Sequence, residues 1–173
     1  VVIWSRLRFD LAPYLAEKRI GGVTALVFQH DQIRVVAAEE YLTGEQGLQR
    51  HKSIAAYFRR RADPKGNQTW MPIDPRGLTE LPFHMARAGE RDELIDLLDS
   101  IAYLNARCDA KSVYELLDDY ALNPDARERS DYYRFVRRNA QRLTRYHNLF
   151  FSLLALEGTA EQQAQVTELV DSE

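Results

Sequence analysis

The 173-residue sequence contains a single cysteine, Cys108, so no disulfide bond can form within the chain. A protein without disulfide bonds fits a reducing compartment, and we expect a cytoplasmic location. No apolar run approaches the roughly 20 residues that a membrane-spanning helix requires, so we expect no membrane partner. The chain begins VVIWSRLRF, without a methionine or a signal-like segment, and we expect it to be a piece of a longer polypeptide.

Motifs of the common catalytic and cofactor sites are also missing. The sequence contains no GxxxxGK(S/T), GxGxxG, HExxH or GxSxG pattern and no cysteine pair at a metal-binding spacing. The four histidines are too scattered for typical zinc ligands: His30, His51, His84 and His147. Cys108 and His84 could form a thiolate pair, but a buried structural cysteine is the favoured interpretation. We therefore expect this chain to hold no metal or cofactor and to catalyse no reaction.

The composition is that of an ordinary folded domain. Hydrophobic residues make up 45% of the chain and charged residues 28%, which excludes a disordered tail. The net charge of -3 provides no general attraction to nucleic acid or to anionic membranes. The length suits one domain or a compact part of a larger protein.

The first 42 residues alternate between helix and strand signals. Apolar periodicity predicts a helix over residues 3–18, kinked or split at Pro13, and paired glycines predict a turn over residues 19–22. Residues 23–28, VTALVF, predict the only convincing strand in the chain. Another helix follows, with Asp31 as a plausible N-cap. This order of elements is typical of the end of a winged-helix domain.

A histidine, His30, lies at the predicted junction between the strand and the second helix, between Gln29 and Asp31. A strand-to-helix corner is a poor place to bury an imidazole and a good place to direct one at a ligand or another domain. The alternative is a cap or a structural hydrogen bond. The residue pattern alone leaves both interpretations open.

From residue 43 onward the sequence predicts helices. Thr43 and Gly44 break the preceding helix, and a new helix covers about residues 45–62. Its predicted inward side chains are Leu48, Ile54, Tyr57 and Phe58. Residues 63–77 contain three prolines and two glycines and form the longest predicted irregular stretch, which Trp70 should attach to the helical body.

The remaining residues predict helical hairpins. A helix over residues 78–89 ends at Gly89, and the next helix begins at once. We expect most apolar side chains of this hairpin to be buried: Leu81, Phe83, Met85, Leu94, Leu97 and Leu98. A further helix is predicted over residues 111–122, one or two more over residues 125–158, and a last one at the end of the chain.

Together these elements predict a mainly α fold. The end of a winged-helix domain, with one or two short strands, occupies residues 1–42. A helical domain of antiparallel hairpins occupies residues 43–173, with the irregular stretch 63–77 inside it.

Four arginines spaced i, i+4, i+8 and i+11 line one side of a predicted helix, and we name them the arginine stripe: Arg134, Arg138, Arg142 and Arg145. The opposite side carries Tyr132, Phe135, Asn139, Leu143, Tyr146 and Phe150. The stripe could bind phosphates or an acidic partner surface. The favoured alternative is a solvated face that covers apolar neighbours and pairs with nearby carboxylates: Asp118, Asp119, Glu128 or Asp131.

Two pairs of segments are the most specific pieces of a longer pattern: LPFHMARAG followed by ELIDLLDS, and FVRRNAQRLTRY followed by LFFSLLALEG. With IWSRLRFDLAPYL and VFQHDQIRVVAAEEYL before them, this order resembles a region of the STAND class of signalling ATPases. The class comprises NACHT and NB-ARC proteins, including bacterial NLR-like defence proteins. The resemblance covers nearly the whole chain and implies the region just after the nucleotide-binding core, commonly followed by WD40 or other repeats.

In that class a Met-His-Asp-like motif ends the winged helix, and its histidine contacts the β-phosphate of bound ADP and holds the protein closed. The matching residues here are Gln29, His30 and Asp31, with glutamine in place of methionine at a position where the family varies. The resemblance therefore implies that His30 senses ADP held by a P-loop core outside this chain. The cofactors it implies for the parent protein are ADP or ATP with Mg²⁺.

The implied function is a non-catalytic relay and scaffold segment of a nucleotide-switched, oligomerising signalling or antiviral defence protein. The implied partners are the parent's own nucleotide-binding core, a C-terminal repeat or sensor region, and further copies of the parent. A free-standing winged-helix nucleic-acid-binding module that uses the arginine stripe is the alternative from another class. An enzyme that uses Cys108 and His84 is a weaker third interpretation.

Overall fold

The computed structural model describes residues 2–20 and 23–171. Within them the fold is mainly α with one two-stranded antiparallel sheet, which confirms the predicted fold class. The α-helices are α1 (Val2–Leu11), α2 (Asp31–Tyr41), α3 (Gly44–Ala62), α4 (Pro75–Arg87), α5 (Arg91–Leu98), α6 (Ile101–Asp109), α7 (Val113–Asp119), α8 (Pro124–Arg129), α9 (Asp131–Arg145), α10 (Phe150–Glu157) and α11 (Ala160–Asp171). The strands are β1 (Leu15–Ile20) and β2 (Val23–Phe28). Short 3₁₀ helices occupy Ala12–Tyr14, Tyr120–Leu122 and His147–Leu149.

The chain divides into two compact units, Val1–Arg50 and His51–Glu173. The division falls inside α3, whereas the sequence analysis places the end of the winged-helix part after Leu42. Gly44, with φ of +60°, begins α3. The predicted helix break at Thr43 and Gly44 therefore lies within the first unit.

In the first unit, β1 and β2 pair in a register that matches Leu15 with Phe28. The predicted helix over residues 3–18 is wrong after α1, because a 3₁₀ turn containing Pro13 follows and β1 then begins. Pairing with β2 satisfies the backbone hydrogen-bonding groups of both strands and outweighs the helix propensity of the β1 residues. The predicted turn over residues 19–22 is wrong for its first two residues, which belong to β1, and its two glycines lie outside the described residues.

In the second unit, the turn between α4 and α5 forms as predicted. Gly89 has φ of +77°, a left-handed conformation that glycine adopts without steric cost. The Gly89 N–H donates to the carbonyl of Ala86 (3.2 Å) and the Glu90 N–H donates to the carbonyl of Met85 (3.0 Å). These two bonds define a Schellman motif, which ends α4 and lets α5 start immediately.

The apolar side chains of this hairpin are buried as predicted, with one exception. The buried side chains are Leu81, Met85, Leu94, Leu97 and Leu98. The prediction is wrong for Phe83, which is 39% exposed. Residues two positions apart do not share a helix face, so Phe83 lies off the face that Leu81 and Met85 bury. The Arg87 guanidinium covers the Phe83 ring instead, 5.5 Å from its centroid.

Helix α3 buries a narrower face than the sequence predicts. Phe58 is buried and Ile54 is half-buried, but Leu48 and Tyr57 are 41% and 48% exposed, so the prediction is wrong for these two residues. Phe58 stacks on the His84 ring of α4, 5.7 Å between centroids. Tyr57 lies about 100° away around the helix, where its ring contacts Phe58 at a steep angle and the Arg61 guanidinium lies over it.

Trp70 attaches the irregular segment between α3 and α4 to the second unit, as predicted. Its side chain is 2% exposed, and its ring meets the Tyr103 ring nearly edge-on, 5.1 Å between centroids. The irregular segment is shorter than the predicted stretch 63–77, because the Asp74 side chain caps α4 and Pro75 begins it. Aspartate is favoured before a helix because its side chain accepts a hydrogen bond from a backbone N–H of the first turn. Proline is favoured in the first turn because it has no backbone N–H that would need a partner.

The segment after α6 contains more breaks than predicted. The predicted helix over residues 111–122 is α7 followed by the 3₁₀ turn Tyr120–Leu122. The prediction of one or two helices over residues 125–158 is wrong, because α8, α9 and α10 cover this described range. Ser130 separates α8 from α9, since its hydroxyl accepts a hydrogen bond from the Tyr133 N–H (3.1 Å) and caps α9.

A buried ion pair connects α4, α6 and α7, and sequence analysis did not identify it. The Arg107 side chain is completely buried and lies 2.7 Å from the Asp119 carboxylate. Its guanidinium donates to the Leu78 carbonyl (2.9 Å), the Tyr103 hydroxyl (3.1 Å) and the Ser112 hydroxyl (2.9 Å). One side chain therefore fixes three helices.

Replacing Leu98 by alanine should lower the free energy of unfolding by roughly 2–5 kcal/mol, because the truncation leaves a cavity at a completely buried position. Leu156 is 77% exposed, so Leu156→Ala should change the free energy by no more than about 0.5 kcal/mol. Urea unfolding followed by circular dichroism measures both. Equal losses in the two variants would contradict the described core.

Candidate functional site

The corner between β2 and α2 is fixed by Gln29. The Gln29 backbone N–H donates to the Tyr14 carbonyl (2.9 Å), and its side-chain amide donates to the Leu15 carbonyl (3.0 Å). Tyr14 ends the 3₁₀ helix before β1, and Leu15 is the first residue of β1. Gln29, the residue in the methionine position of the family motif, therefore holds the corner against the neighbouring strand.

His30 occupies the N-cap position of α2, with φ of -106° and ψ of 125°. Its carbonyl accepts hydrogen bonds from the N–H groups of Ile33 (3.1 Å) and Arg34 (3.4 Å), so the backbone is tied into the helix. Its side chain makes no capping bond and is exposed. Within residues 2–20 and 23–171, no hydrogen bond, ion pair or ring contact of the imidazole is found. The corner thus presents an imidazole donor to solvent on a fixed backbone.

Asp31 is the first residue of α2, and its predicted role as the N-cap is wrong because His30 holds that position. The Asp31 carboxylate pairs with Arg34 at 2.8 Å, and this hydrogen bond lowers the pKa of the carboxyl group. A negative charge in the first turn is favourable with respect to the helix dipole. Asp31 therefore stabilises the start of the helix that carries His30.

The arginine stripe lies on the exposed side of α9, and its side chains bind groups of the same chain. Arg134 pairs with Asp131 and donates to the Glu128 carbonyl (3.1 Å). Arg138 donates to the Glu157 carbonyl (2.6 Å), and Arg142 pairs with the Glu157 carboxylate, whose pKa it lowers by this hydrogen bond. The remaining guanidinium, of Arg145, lies over the Tyr146 ring.

These contacts agree in part with the carboxylates that the sequence analysis named. Asp131 and the Glu128 backbone bind the stripe, but Asp119 pairs with the buried Arg107 instead. The opposite side of α9 and the start of α10 are buried, except for Tyr146, which is 50% exposed. A role of the stripe as a partner surface stays a prediction.

Cys108 is completely buried, and burial raises the pKa of its thiol to about 12. A thiol that stays protonated at neutral pH is a poor nucleophile, which argues against an enzyme that uses Cys108 with His84. Among the residues that the structure describes, no three histidine, cysteine, aspartate or glutamate side chains are grouped as ligands of a metal ion.

The structure brings two histidines together that the sequence analysis treated as scattered. The Nδ1 atoms of His51 and His84 lie 2.9 Å apart, between α3 and α4, and the Phe58 ring stacks on His84. Burial lowers the pKa of both, that of His84 to about 4. Spacing along α3 held a usable signal, since His51, Ala55 and Phe58 lie at i, i+4 and i+7 and so share its inward face.

Comparison with known proteins finds similarity to proteins named for a NACHT domain and WD repeats and to a telomerase component. It is 29% identical to the human "NACHT domain- and WD repeat-containing protein 1" over 70% of this chain, and 27% identical to its mouse counterpart over 69%. The mouse "Telomerase protein component 1" is 27% identical over 65% of this chain. No protein-family model and no solved structure matches the chain.

The chain spans only a small part of these relatives, 9% of the two NACHT and WD-repeat proteins and 4% of the telomerase component. The similarity is consistent with a region of a NACHT-family protein, and the names of two relatives state that WD repeats occur in the same polypeptide. In the described part of the chain, no helix is both long enough and apolar enough to cross a membrane.

Changing Arg138 and Arg142 together to glutamine should alter the free energy of unfolding by no more than about 1 kcal/mol, because exposed ion pairs contribute little. The matched control is Arg107→Gln, which leaves the Asp119 carboxylate buried without its partner and should cost roughly 3–5 kcal/mol. Urea unfolding of both variants provides the comparison. A large loss in the double variant would show that the stripe supports the fold.

Acidification should weaken the fold through His84. Its pKa is about 6.5 in the unfolded chain and about 4 in the folded one, so the unfolded state binds the proton more tightly between these values. The stability from the neutral imidazole is complete above pH 6.5 and is lost as the pH falls towards 4. The loss amounts to roughly 3 kcal/mol in total, at 1.36 kcal/mol per pKa unit.

Unfolding free energies at pH 7 and pH 5 measure this effect. His84→Gln should show a smaller drop between the two pH values than the unchanged protein. Gln141→Ala is the control, since Gln141 is an exposed, uncharged residue of α9 and should leave the drop unaltered. The same drop in all three proteins would show that His84 does not titrate as described.

Proposed function

We propose that this chain is a non-catalytic relay and scaffold segment of a nucleotide-switched signalling protein. In this proposal it couples the nucleotide state of a NACHT core in the parent protein to a repeat-containing sensor region. The similarity to two proteins named for a NACHT domain and WD repeats supports both partners. The parent is cytoplasmic and assembles into oligomers when switched on.

The observation that carries the proposal is the exposed His30 side chain on a fixed backbone. Its backbone is held by two hydrogen bonds from α2, and the adjacent Gln29 is held by β1, while its imidazole is exposed and makes no bond in the described part of the chain. A fixed corner with a free donor suits a hydrogen bond to an anionic oxygen on another domain. In the parent, that oxygen belongs to a phosphate of bound ADP.

The exposed apolar side chains of the first unit give a second support. Val36 is 63% exposed and Tyr41 56%, and both line one open, mostly apolar face of α2. Large apolar side chains exposed together mark a surface that another protein part covers. We assign this surface to the nucleotide-binding core of the parent, which also brings ADP within reach of His30.

The switch follows from differential binding. A donor stabilises the closed, ADP-bound arrangement only as long as the corner faces the phosphate, and the contact is lost when the core rearranges. The second unit, with its buried ion pair and helical hairpins, keeps its own shape through this change. It therefore serves as the body that passes the movement to the repeat region.

Replacing His30 by alanine should leave the 173-residue chain intact, with its free energy of unfolding within about 0.5 kcal/mol, because the side chain contacts nothing described. In the full-length parent the same change removes a charge-assisted hydrogen bond worth roughly 1.5–3 kcal/mol. The ratio of closed to open molecules should fall about ten- to a hundredfold, and the parent should assemble without its trigger. Thermal melting and size-exclusion chromatography in ADP measure the two effects.

The substitution Glu168→Gln is the control, since Glu168 is an exposed residue of α11 in the second unit. It should change neither the melting temperature nor the assembly. If His30→Ala destabilises the chain and the parent stays closed in ADP, His30 is a structural residue and the proposed function fails.

A further inference from the structure

An open cleft of about 540 Å³ lies in the second unit. One wall is α3, which contributes Lys52 and Arg59, seven residues apart and so on the same face. The other wall is α5 with its N-cap residue, Glu90, together with Glu93 and Asp96. This volume falls in the range of sites for small ligands.

The two walls carry opposite charges that do not neutralise each other. Among the ion pairs of the described residues, none includes Lys52, Arg59, Glu90, Glu93 or Asp96. Arg59 donates only to the sulfur of Met85, at 3.3 Å. The basic and acidic walls are therefore separated by the width of the cleft, and their charges are available to a ligand with both signs.

The irregular segment between the walls adds a buried donor. Trp70 lines the cleft and is 2% exposed, and its indole N–H has no protein partner. Tryptophan N–H groups are usually hydrogen-bonded when buried, so this donor lacks the acceptor that burial normally requires. The indole nitrogen itself is enclosed, so an acceptor on a bound molecule would satisfy it once the ring shifts towards the cleft.

The same segment has a strained backbone at two cleft residues. Gln68 and Trp70 have φ of +59° and +57°, a region that side-chain-bearing residues rarely adopt. The Asp63 carboxylate holds the segment by accepting a hydrogen bond from the Gln68 N–H (2.8 Å). Strain of this kind persists where the surroundings enforce it and is concentrated at binding sites.

We propose that this cleft binds an arginine with a free α-carboxylate, either the free amino acid or the last residue of a peptide. The carboxylate lies against Lys52 and Arg59 and accepts the Trp70 indole N–H. The guanidinium lies among Glu90, Glu93 and Asp96. This binding is independent of the nucleotide switch and of His30.

The distribution of charge selects arginine over lysine. A guanidinium has five N–H donors in a planar fork and can bind several carboxylates at once, whereas an ammonium acts as a point charge. Three carboxylates around one cation match the first arrangement. The opposite wall provides two cations and a neutral donor, which suit one carboxylate.

Isothermal titration of the 173-residue chain tests the proposal with four probes. L-Arginine and the tripeptide Gly-Gly-Arg represent the two sources of the ligand. L-Citrulline lacks the positive charge of the side chain, and agmatine lacks the carboxylate. We expect a Kd of about 1 mM or tighter for arginine, the tripeptide or both, as the size of the ligand allows. Citrulline and agmatine should bind at least about tenfold more weakly.

Two cleft variants test the contributions of the acidic wall and the basic wall separately. Glu93→Gln should weaken the binding of arginine and bring its affinity closer to that of citrulline. Lys52→Gln combined with Arg59→Gln should remove the advantage of arginine over agmatine. Arg137→Gln and Glu168→Gln change exposed residues that do not line the cleft and should leave all affinities unaltered.

Absence of binding by both arginine and the tripeptide up to roughly 10 mM would overturn the proposal, since that limit lies well above the affinity expected for a ligand of this size. Equal binding of citrulline, agmatine and arginine would overturn it as well. So would cleft variants that bind arginine as the unchanged protein does while keeping their melting temperatures. The four probes act on the unchanged protein, so the result does not depend on any variant folding.

Discussion

The second compact unit depends on one buried guanidinium, that of Arg107, and on the Asp119 carboxylate that balances its charge. Removing a charge from water is costly, so an unpaired guanidinium at this depth would oppose folding. Burial raises the pKa of Asp119 to about 7, and Arg107 acts in the opposite direction by favouring the carboxylate. The arrangement is favourable only when the Leu78 carbonyl and the Tyr103 and Ser112 hydroxyls accept the remaining N–H groups. Helices α4, α6 and α7 must therefore assemble together, and the remaining hairpins pack on that frame.

Local signals were sufficient for much of the helical fold. Gly89 and the leucines of α5 were predicted correctly, because a left-handed glycine and the i, i+3, i+4 spacing act within one turn of chain. Strand β1 was missed, since its residues favour a helix and only pairing with β2 makes them extended. The burial of Leu48 and Tyr57 was predicted wrongly for a related reason. The width of the face that α3 buries depends on which helix packs on it, and α4 covers only the side of Phe58.

The candidate sites show the same difference between local sequence signals and contacts between distant segments. His30 was identified from sequence because its position at a strand–helix junction is a local property, and the family motif points to the same residue. Spacing along α3 indicates that His51 faces inward, but the His51–His84 contact and the charged cleft join residues from separate helices. Spacing within one segment does not identify the partner on the other helix. The indole of Trp70 shows the limit most clearly. Its burial was predicted from a proline-rich loop, but its unpaired N–H depends on how that loop closes over Tyr103.

The two units differ in how they are stabilised, and this difference matters for a relay. The second unit has its own core and a buried ion pair. In the first unit, helix α2 contains no buried residue and the sheet has only two strands among the described residues. Two-stranded sheets are marginally stable alone, and regions with few buried apolar contacts open at low cost in free energy. In the proposed function the nucleotide-binding core supplies the missing contacts of the first unit. The position of His30 then responds to that core, because the surface that stabilises the corner is the one that the nucleotide rearranges.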